Sequence, residues 1–274
     1  MSVDSARETL YHRGEADMVA TIQNTDVKQE DAHGAVVVAV TSRALFGGDD
    51  DDDVSGVGVA FPLLQALQRV NQRLLEKDPA ESLLFDVVLI TTDSQQQQQS
   101  SRIVSSTRHH GLEVSRFCFS SQEDFIESLL TNNVQLFLST DRNEALQASQ
   151  QGVLSALLDR QGAPSEQLRV MLCGDAVVRP DAGPAPVSRP AAESFSSRLG
   201  EMRRRFGALD SPLSIVLVTS SGDRESCGVA LRTLRSRGLG VDEAYCLAGA
   251  PRSPILSLLR PHFLLGDGVI GLED

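Results

Sequence analysis

The sequence is short of the residues that mark disulfide-rich, membrane-spanning or nucleic-acid-binding proteins. Its four cysteines are widely spaced and form no Cys-x-x-Cys pair, which excludes a disulfide scaffold. It has no tryptophan, 4% aromatic residues and a net charge of -12, whereas nucleic-acid binding needs a basic surface. No apolar run approaches the roughly 18–20 residues that cross a bilayer, and the acidic N-terminus lacks the apolar core of a signal peptide. We therefore expect a cytoplasmic protein without nucleic-acid or membrane partners.

The hydrophobic residues indicate a folded α/β protein. They make up 41% of the 274 residues, enough to bury one large or two small cores. Residues 35–40 are a continuous apolar run, typical of a strand buried on both faces of a parallel sheet. The other predicted strands cover residues 85–91, 115–119, 134–139, 168–172, 214–219, 244–247 and 262–265. The predicted helices cover residues 61–76, 102–110, 123–130, 144–158, 195–206, 224–237 and 253–259. Strands that alternate with helices predict an α/β fold with mostly parallel sheets.

The two halves of the chain carry similar landmarks in the same order. Each half has a strand that ends in threonine, a glycine after the next helix and an aspartate after a later strand: Thr91, Gly111 and Asp141, then Thr219, Gly238 and Asp267. The spacings are 20 and 30 residues in the first half and 19 and 29 in the second. We therefore expect an internal duplication in which Thr91 and Asp141 correspond to Thr219 and Asp267.

The expected organisation has a leader and two units. Residues 1–32 are polar and lack a sustained period, which predicts a flexible leader. Residues 33–160 are expected to form an N-terminal Rossmann-type unit, degenerate because its first strand ends without an acid. Residues 165–274 are expected to form a C-terminal unit that carries the functional site. Within it, four prolines lie between residues 178 and 192, so residues 178–212 are interpreted as a reduced insertion.

Polar residues follow three predicted strands of the second half, at the ends where α/β proteins bind ligands. They are Cys173 and Asp175 after the first strand, Thr219 and Ser220 after the second, and Asp267 after the last. Carboxylates and hydroxyls at one edge can hold a phosphate and Mg²⁺, since this metal prefers hard oxygen ligands. Acidic residues also occur in ordinary loops after strands, so spacing alone leaves both interpretations open.

Several longer runs resemble one protein family. They are Ala39-Val-Thr-Ser-Arg-Ala-Leu-Phe46, Val70-Asn71, Phe85-Asp-Val-Val-Leu89, Arg116-Phe-Cys118, Gly174-Asp-Ala-Val177, Asp242-Glu-Ala244, Leu247-Ala-Gly-Ala-Pro251 and Arg260-Pro-His262. In this order they resemble the cytosolic type I 5'-nucleotidases, which belong to the haloacid dehalogenase-like phosphohydrolases. The match covers about residues 35 to 267. The resemblance implies two haloacid dehalogenase-like Rossmann-type units, with a reduced cap insertion in the second.

The resemblance also implies an activity and a set of site residues. The family reaction is the Mg²⁺-dependent hydrolysis of nucleoside 5'-monophosphates, AMP foremost. The implied roles fall on the nucleophile position Cys173, the acid/base Asp175, the phosphate-binding residues Thr219, Ser220 and Arg252, and the metal ligands Asp267 and the Asp175 backbone carbonyl. In this family an aspartate attacks phosphorus and a second aspartate protonates the leaving ribose oxygen. A nucleoside monophosphate is thus the implied ligand, while homo-oligomers or a related subunit remain open.

Three departures from the family pattern affect the implied chemistry. Cys173 stands where the family has the nucleophilic aspartate, Gly266 replaces the first acid of an Asp-Asp pair, and Arg252 replaces a lysine. A thiol is a poor ligand for a hard cation, and the loss of a nucleophile costs several powers of ten in rate. We therefore expect hydrolysis to be weak or lost. The alternative is a non-catalytic paralogue that binds a nucleotide or a protein partner.

A second chemistry fits the same cysteine. Cys173 and Arg179 have the Cys-x5-Arg spacing of cysteine-based phosphatases, in which a thiolate attacks phosphate without a metal. That loop needs backbone N–H groups that face the anion and a helix after it. Asp175 would repel the anion and Pro180 blocks a direct helical continuation, so this interpretation is the weaker one. A buried cysteine at a strand end is the simpler explanation.

Overall fold

The structure of the chain is a computed structural model. It describes residues 6–13, 17–24, 27, 34–47, 56–92, 100–158, 166–177, 187–207, 210–220, 224–266, 268–269 and 271. Within these residues no helix is both long enough and apolar enough to span a bilayer. Strands and helices alternate through them, and the fold is α/β with mostly parallel sheets, as predicted.

The first sheet has seven strands among the described residues, in the order β1-β2-β5-β4-β3-β6-β7. They are β1 (Ala6–Arg13), β2 (Asp17–Asn24), β3 (Val36–Thr41), β4 (Phe85–Thr91), β5 (Arg116–Phe119), β6 (Leu136–Ser139) and β7 (Leu154–Leu157). Strands β3 to β7 pair in parallel, whereas β2 pairs antiparallel with both β1 and β5. Strand β3 is buried throughout, because its alternate side chains enter apolar clusters on opposite faces of the sheet.

Two parts of the first sheet differ from the elements predicted from the sequence. Within residues 1–32, predicted as a flexible leader, the described part includes the strands β1 and β2. Backbone pairing to the edge of β5 and the packing of Ile22 against the main apolar cluster hold this part. The helix predicted at residues 144–158 is too long, since it ends at Gln150. Gly152 then takes a φ of 85°, which redirects the chain into β7.

The second sheet has four strands among the described residues, in the order β10-β9-β8-β11, and all of them pair in parallel. They are β8 (Leu168–Cys173), β9 (Leu213–Thr219), β10 (Glu243–Cys246) and β11 (Phe263–Leu265). All seven residues of β9 are buried. The carboxyl ends of β8 and β9 therefore lie side by side at the edge where a ligand is expected.

The helices lie between the strands of both sheets. They are α1 (Ser42–Leu45), α2 (Phe61–Lys77), α3 (Ser100–His109), α4 (Phe125–Thr131), α5 (Arg142–Gln150), α6 (Gly174–Val177), α7 (Arg189–Arg204), α8 (Arg224–Ser236) and α9 (Ser253–Leu259). Helix α2 buries one leucine-rich stripe, as its 3.6-residue period predicts. Helix α7 begins six residues before the predicted helix at 195–206, and Pro190 fits its first turn because an N–H is not needed there.

The two sheets repeat the same strand order and the same register. Strand β3 has β4 on one side and β6 on the other, and β8 has β9 and β11 in the same places. Val38 pairs with Val87 in the first sheet, and Val170 pairs with Ile215 in the second. Both β3 and β8 lead directly into a four-residue helix, α1 or α6. This shared geometry supports the predicted internal duplication.

The register also corrects one predicted correspondence. Leu136 and Phe263 pair with Val38 and Val170, so β6 and β11 align at these two residues. Counting onward from Leu136 and from Phe263 by the same number of residues aligns Asp141 with Gly268. Asp141 is therefore displaced by one residue from the expected equivalence with Asp267. Four residues separate Leu136 from Asp141 but three separate Phe263 from Asp267, a difference that the similar overall spacing of the two halves does not reveal.

Candidate functional site

The candidate site begins at the end of β8. Cys173 is the last residue of this strand, pairs in register with Val218 of β9, and is 4% exposed. Thr219 follows Val218 and is also buried. Its Oγ1 donates a long hydrogen bond of 3.5 Å to the carbonyl oxygen of Tyr245. The thiol and the hydroxyl thus come from neighbouring strand ends, as the sequence predicts.

Gly174 allows the two strand ends to approach closely. A Cβ atom at this position would lie 2.3 Å from Cγ2 of Thr219, a separation that side chains do not tolerate. Gly174 opens the one-turn helix α6, which includes Asp175. Asp175 is the second residue of α6, two residues after Cys173, and its side chain lies outside the described part of the chain.

The segment 247–251 carries the chain from β10 to Arg252. Its residues Ala248 and Gly249 have φ values of 51° and 83°, so the backbone turns through two left-handed positions. The turn is held against the end of β9, since Gly249 N donates to Ser220 O at 3.0 Å. Arg252 is the residue before α9 and is half-buried. The Leu-Ala-Gly-Ala-Pro run therefore brings the positively charged Arg252 to the edge of the sheet.

Arg252 contacts Cys173 directly. Its Nη1 donates to Sγ of Cys173 at 3.6 Å, across 79 residues of sequence. The guanidinium is a fixed positive charge with planar donors that suit a phosphate or carboxylate. The structure thus brings Cys173, Thr219 and Arg252 together, with Ser220 next to Thr219. An anion at this edge would meet a guanidinium and hydroxyl donors.

The predicted metal site is only partly within the described residues. Asp267 lies outside them. Gly266 is described and, by the register of β11 with β8, comes level with Cys173. The described part of the chain groups no three His, Cys, Asp or Glu side chains as metal ligands. At the two positions where the family has carboxylates, a sulfur and a glycine do not fit the oxygen ligands that Mg²⁺ prefers.

The Cys-x5-Arg interpretation finds no support in the described geometry. Arg179 lies outside the described residues. Residues Gly174–Val177, which would have to form the anion-binding loop, are a helical turn, and the guanidinium that contacts Cys173 belongs to Arg252.

Several motif residues that carry the family resemblance have structural roles. Asp86 accepts hydrogen bonds from the guanidinium of Arg116 and from the hydroxyl of Ser115, which ties β4 to β5. Asn71 of α2 exchanges two hydrogen bonds with the backbone of Phe85, both of 2.7 Å. These contacts fix the start of β4 against α2, far from the candidate site in sequence.

Motif residues of the second sheet act in the same way. Asp242 forms a two-bond ion pair with Arg203 and accepts from Ile215 N at 2.8 Å, which joins α7 to the start of β9. His262 is 2% exposed, and its Nδ1 accepts from Arg169 N at 3.0 Å. Burial lowers the pKa of His262 from 6.5 to about 4. This histidine is therefore neutral and structural at neutral pH.

One buried acid of the first sheet, Glu144, was not predicted from the sequence. Glu144 is 4% exposed and accepts hydrogen bonds from Arg43, Thr92 and Ser139. In the sequence it is an acid in the first turn of a helix, which is an ordinary place for one. The available signal was its position three residues after Asp141, which caps this helix.

The chain is similar in sequence to proteins of one known family. The family model described as 5'-nucleotidase matches residues 48–185 and 184–274. Cytosolic 5'-nucleotidase 1B of Homo sapiens is 34% identical over 248 aligned residues. The alignment covers 79% of this chain and 40% of that relative, so the chain spans less than half the length of the relative it matches.

Proposed function

The chain belongs to the 5'-nucleotidase family as a divergent cytosolic-type member, and from this premise we propose that the Cys173 site binds nucleoside 5'-monophosphates, AMP foremost, and hydrolyses them weakly or not at all. Substrate class, activity and location in the cytosol are parts of this proposal. In it, Thr219, Ser220 and Arg252 hold the phosphoryl group.

The observation that supports binding is the contact between Arg252 and Cys173. It brings a guanidinium to the strand end where a phosphoryl group is bound in an α/β phosphohydrolase. Arg252 would form charge-assisted hydrogen bonds to two phosphoryl oxygens. Thr219 can contribute its hydroxyl, because the 3.5 Å bond that it makes to Tyr245 is long and easily exchanged.

The same contact is the reason to expect weak hydrolysis. The atom that faces Arg252 is a sulfur, where the family reaction uses a carboxylate oxygen. A carboxylate has two oxygens, one for phosphorus and one for a metal, whereas a thiol has a single soft atom. Asp175 keeps the position of the acid that protonates the leaving ribose oxygen. An acid without its nucleophile leaves the family reaction incomplete, and such losses cost several powers of ten in rate.

A titration of the chain with AMP tests the binding proposal. We expect heat of binding from the unmodified chain and a loss of affinity of about tenfold or more in Arg252→Met, because a charge-assisted hydrogen bond is removed. Arg235→Met is the matched control, because it removes the same charge from an exposed position of α8. Circular dichroism shows that the variants remain folded.

Two results contradict the proposal. One is the absence of AMP binding by the folded, unmodified chain. The other is an equal affinity in Arg252→Met and Arg235→Met, which would place the ligand away from Cys173. In that case the partner-binding paralogue is the remaining interpretation.

A further inference from the structure

The first sheet contains a group of polar residues that the proposed function does not use. We call Arg43, Thr92, Ser139 and Glu144 the Glu144 cluster. Thr92 Oγ1 donates to Oε1 of Glu144 at 3.0 Å, and Ser139 Oγ donates to Oε2 at 2.7 Å. The guanidinium of Arg43 forms an ion pair with Oε1. A buried carboxylate therefore receives a positive charge and two hydroxyl donors.

The donors of this cluster come from the strand ends that correspond to the Cys173 site. Arg43 lies in α1, the short helix directly after β3. Thr92 follows β4, and Ser139 ends β6. The shared register aligns these residues with positions in the second sheet: Arg43 with Asp175, Thr92 with Ser220, and Ser139 with Gly266. Thr41 aligns with Cys173 in the same way. The cluster thus occupies, in the first sheet, the location that the phosphoryl group would occupy in the second.

We propose that the Glu144 cluster is a second anion-binding site, related to the Cys173 site by duplication and filled by the chain's own Glu144 carboxylate. The proposal rests on the equivalence of the two sheets and on the proposed position of the phosphoryl group at the Cys173 site. It means that the first sheet cannot accept a phosphate while Glu144 is present. Each chain then offers one vacant site for a phosphorylated ligand instead of two.

The surroundings of Glu144 fit an anion site rather than a surface ion pair. Glu144 is 4% exposed, and an unpaired buried carboxylate would be strongly destabilising, so its three donors are required. A groove of about 430 Å³ is lined by Glu144 together with Asp141, Asn143 and Gln147. Thr41 is buried at the same strand end, and its Oγ1 has no hydrogen-bond partner among the described residues. Polar atoms of Arg43, Thr92, Ser139 and Thr41 would therefore remain if the carboxylate were removed.

Thermal unfolding in inorganic phosphate tests the inference. The reference protein is Arg252→Met, in which phosphate binding at the Cys173 site is weakened. Glu144→Ala in this background leaves the three donors without an acceptor, and phosphate should then bind among them. We expect a saturable rise of the melting temperature, about 3–6 °C at ten times the dissociation constant, that the reference lacks. Potassium chloride at equal ionic strength should not reproduce it.

A matched control separates a site from a general charge effect. Glu127→Ala in the same background removes an exposed acid from the first turn of the neighbouring α4. This variant should respond to phosphate like the reference. An equal response of Glu144→Ala, Glu127→Ala and the reference would overturn the inference. Because all three proteins carry Arg252→Met, that result says nothing against AMP binding at the Cys173 site.

A double-mutant cycle keeps the inference testable if Glu144→Ala does not fold. Glu144→Gln retains the shape of the side chain and removes its charge. If Arg43 holds an anion, Arg43→Met should raise the equilibrium constant of unfolding about tenfold more when it is introduced into the unmodified chain than when it is introduced into Glu144→Gln. Equal effects of Arg43→Met in the two backgrounds would show that Arg43 does not act on the carboxylate, and would overturn the inference.

Discussion

His262 is expected to make the stability of the chain depend on pH. The imidazole is 2% exposed and lies between α9 and the start of β11. Its Nδ1 accepts from Arg169 N, and its Nε2 has no hydrogen-bond partner among the described residues. Burial, together with the nearby charge of Arg169, disfavours the imidazolium and lowers the pKa to about 4. In the unfolded chain the same imidazole protonates near pH 6.5.

The size of the effect follows from the two pKa values. Between pH 6.5 and pH 4 the unfolded state binds more protons than the folded state, so stability falls as the pH falls. A lowering from 6.5 to about 4 corresponds to about 3 kcal/mol at pH 4, of which about 2 kcal/mol is lost by pH 5. Above pH 6.5 both states are neutral at this residue, and it adds no pH dependence.

Urea unfolding at several pH values measures this contribution. His262→Asn keeps an acceptor for Arg169 N and cannot become charged. We expect the variant to be less stable than the unmodified chain at pH 7, and the difference to shrink by about 2 kcal/mol at pH 5. His109→Asn, at an exposed position, is the control and should keep the pH dependence of the unmodified chain. Parallel pH profiles for His262→Asn and the unmodified chain would refute the assignment.

Two further predictions concern the framework of the site. Gly174→Ala should lower the free energy of unfolding by about 1–3 kcal/mol and weaken AMP binding, because the new Cβ would displace Thr219. The control Gly228→Ala lies within α8 and should instead raise the free energy of unfolding by about 0.5–1 kcal/mol. Equal effects of the two substitutions in urea unfolding would contradict this. Asp242→Asn should lower the free energy of unfolding by about 1–3 kcal/mol, because it breaks the ion pair with Arg203. An unchanged midpoint of urea unfolding would show that this ion pair contributes little to stability.

The buried parallel strands were predictable because they leave a strong signal. A strand covered on both faces needs apolar residues at every position, so residues 85–91 were predicted as a strand and are β4 (Phe85–Thr91). The shared spacing of the two halves predicted a duplication, and the shared register supports it. The one-residue error at Asp141 shows that spacing fixes the order of elements better than their register.

Short and peripheral strands were harder to predict. Strand β7 has four residues, among them Ser155, and follows a helix after a single left-handed glycine. Strands β1 and β2 join the edge of the sheet through backbone pairing. Backbone hydrogen bonds of this kind depend little on residue type, so sequence patterns do not report them.

The candidate site was predictable only in part. Cys173 and Thr219 were expected at neighbouring strand ends from the alternation of strands and helices alone. Arg252 was expected there only through the family resemblance, since its approach depends on the left-handed turn at Ala248 and Gly249. The Glu144 cluster was missed, because its donors come from three separate strand ends that only the folded sheet brings together.

The release of phosphate from AMP tests most directly the proposal that sulfur at position 173 makes hydrolysis at this site weak or absent. The assay, in the presence of Mg²⁺, compares the unmodified chain with Cys173→Asp and with Cys173→Asp combined with Gly266→Asp. We expect little or no release by the unmodified chain and a gain of several powers of ten when the carboxylates are restored. Release by the unmodified chain at the rate of the restored variants, lost in Cys173→Ser, would contradict it.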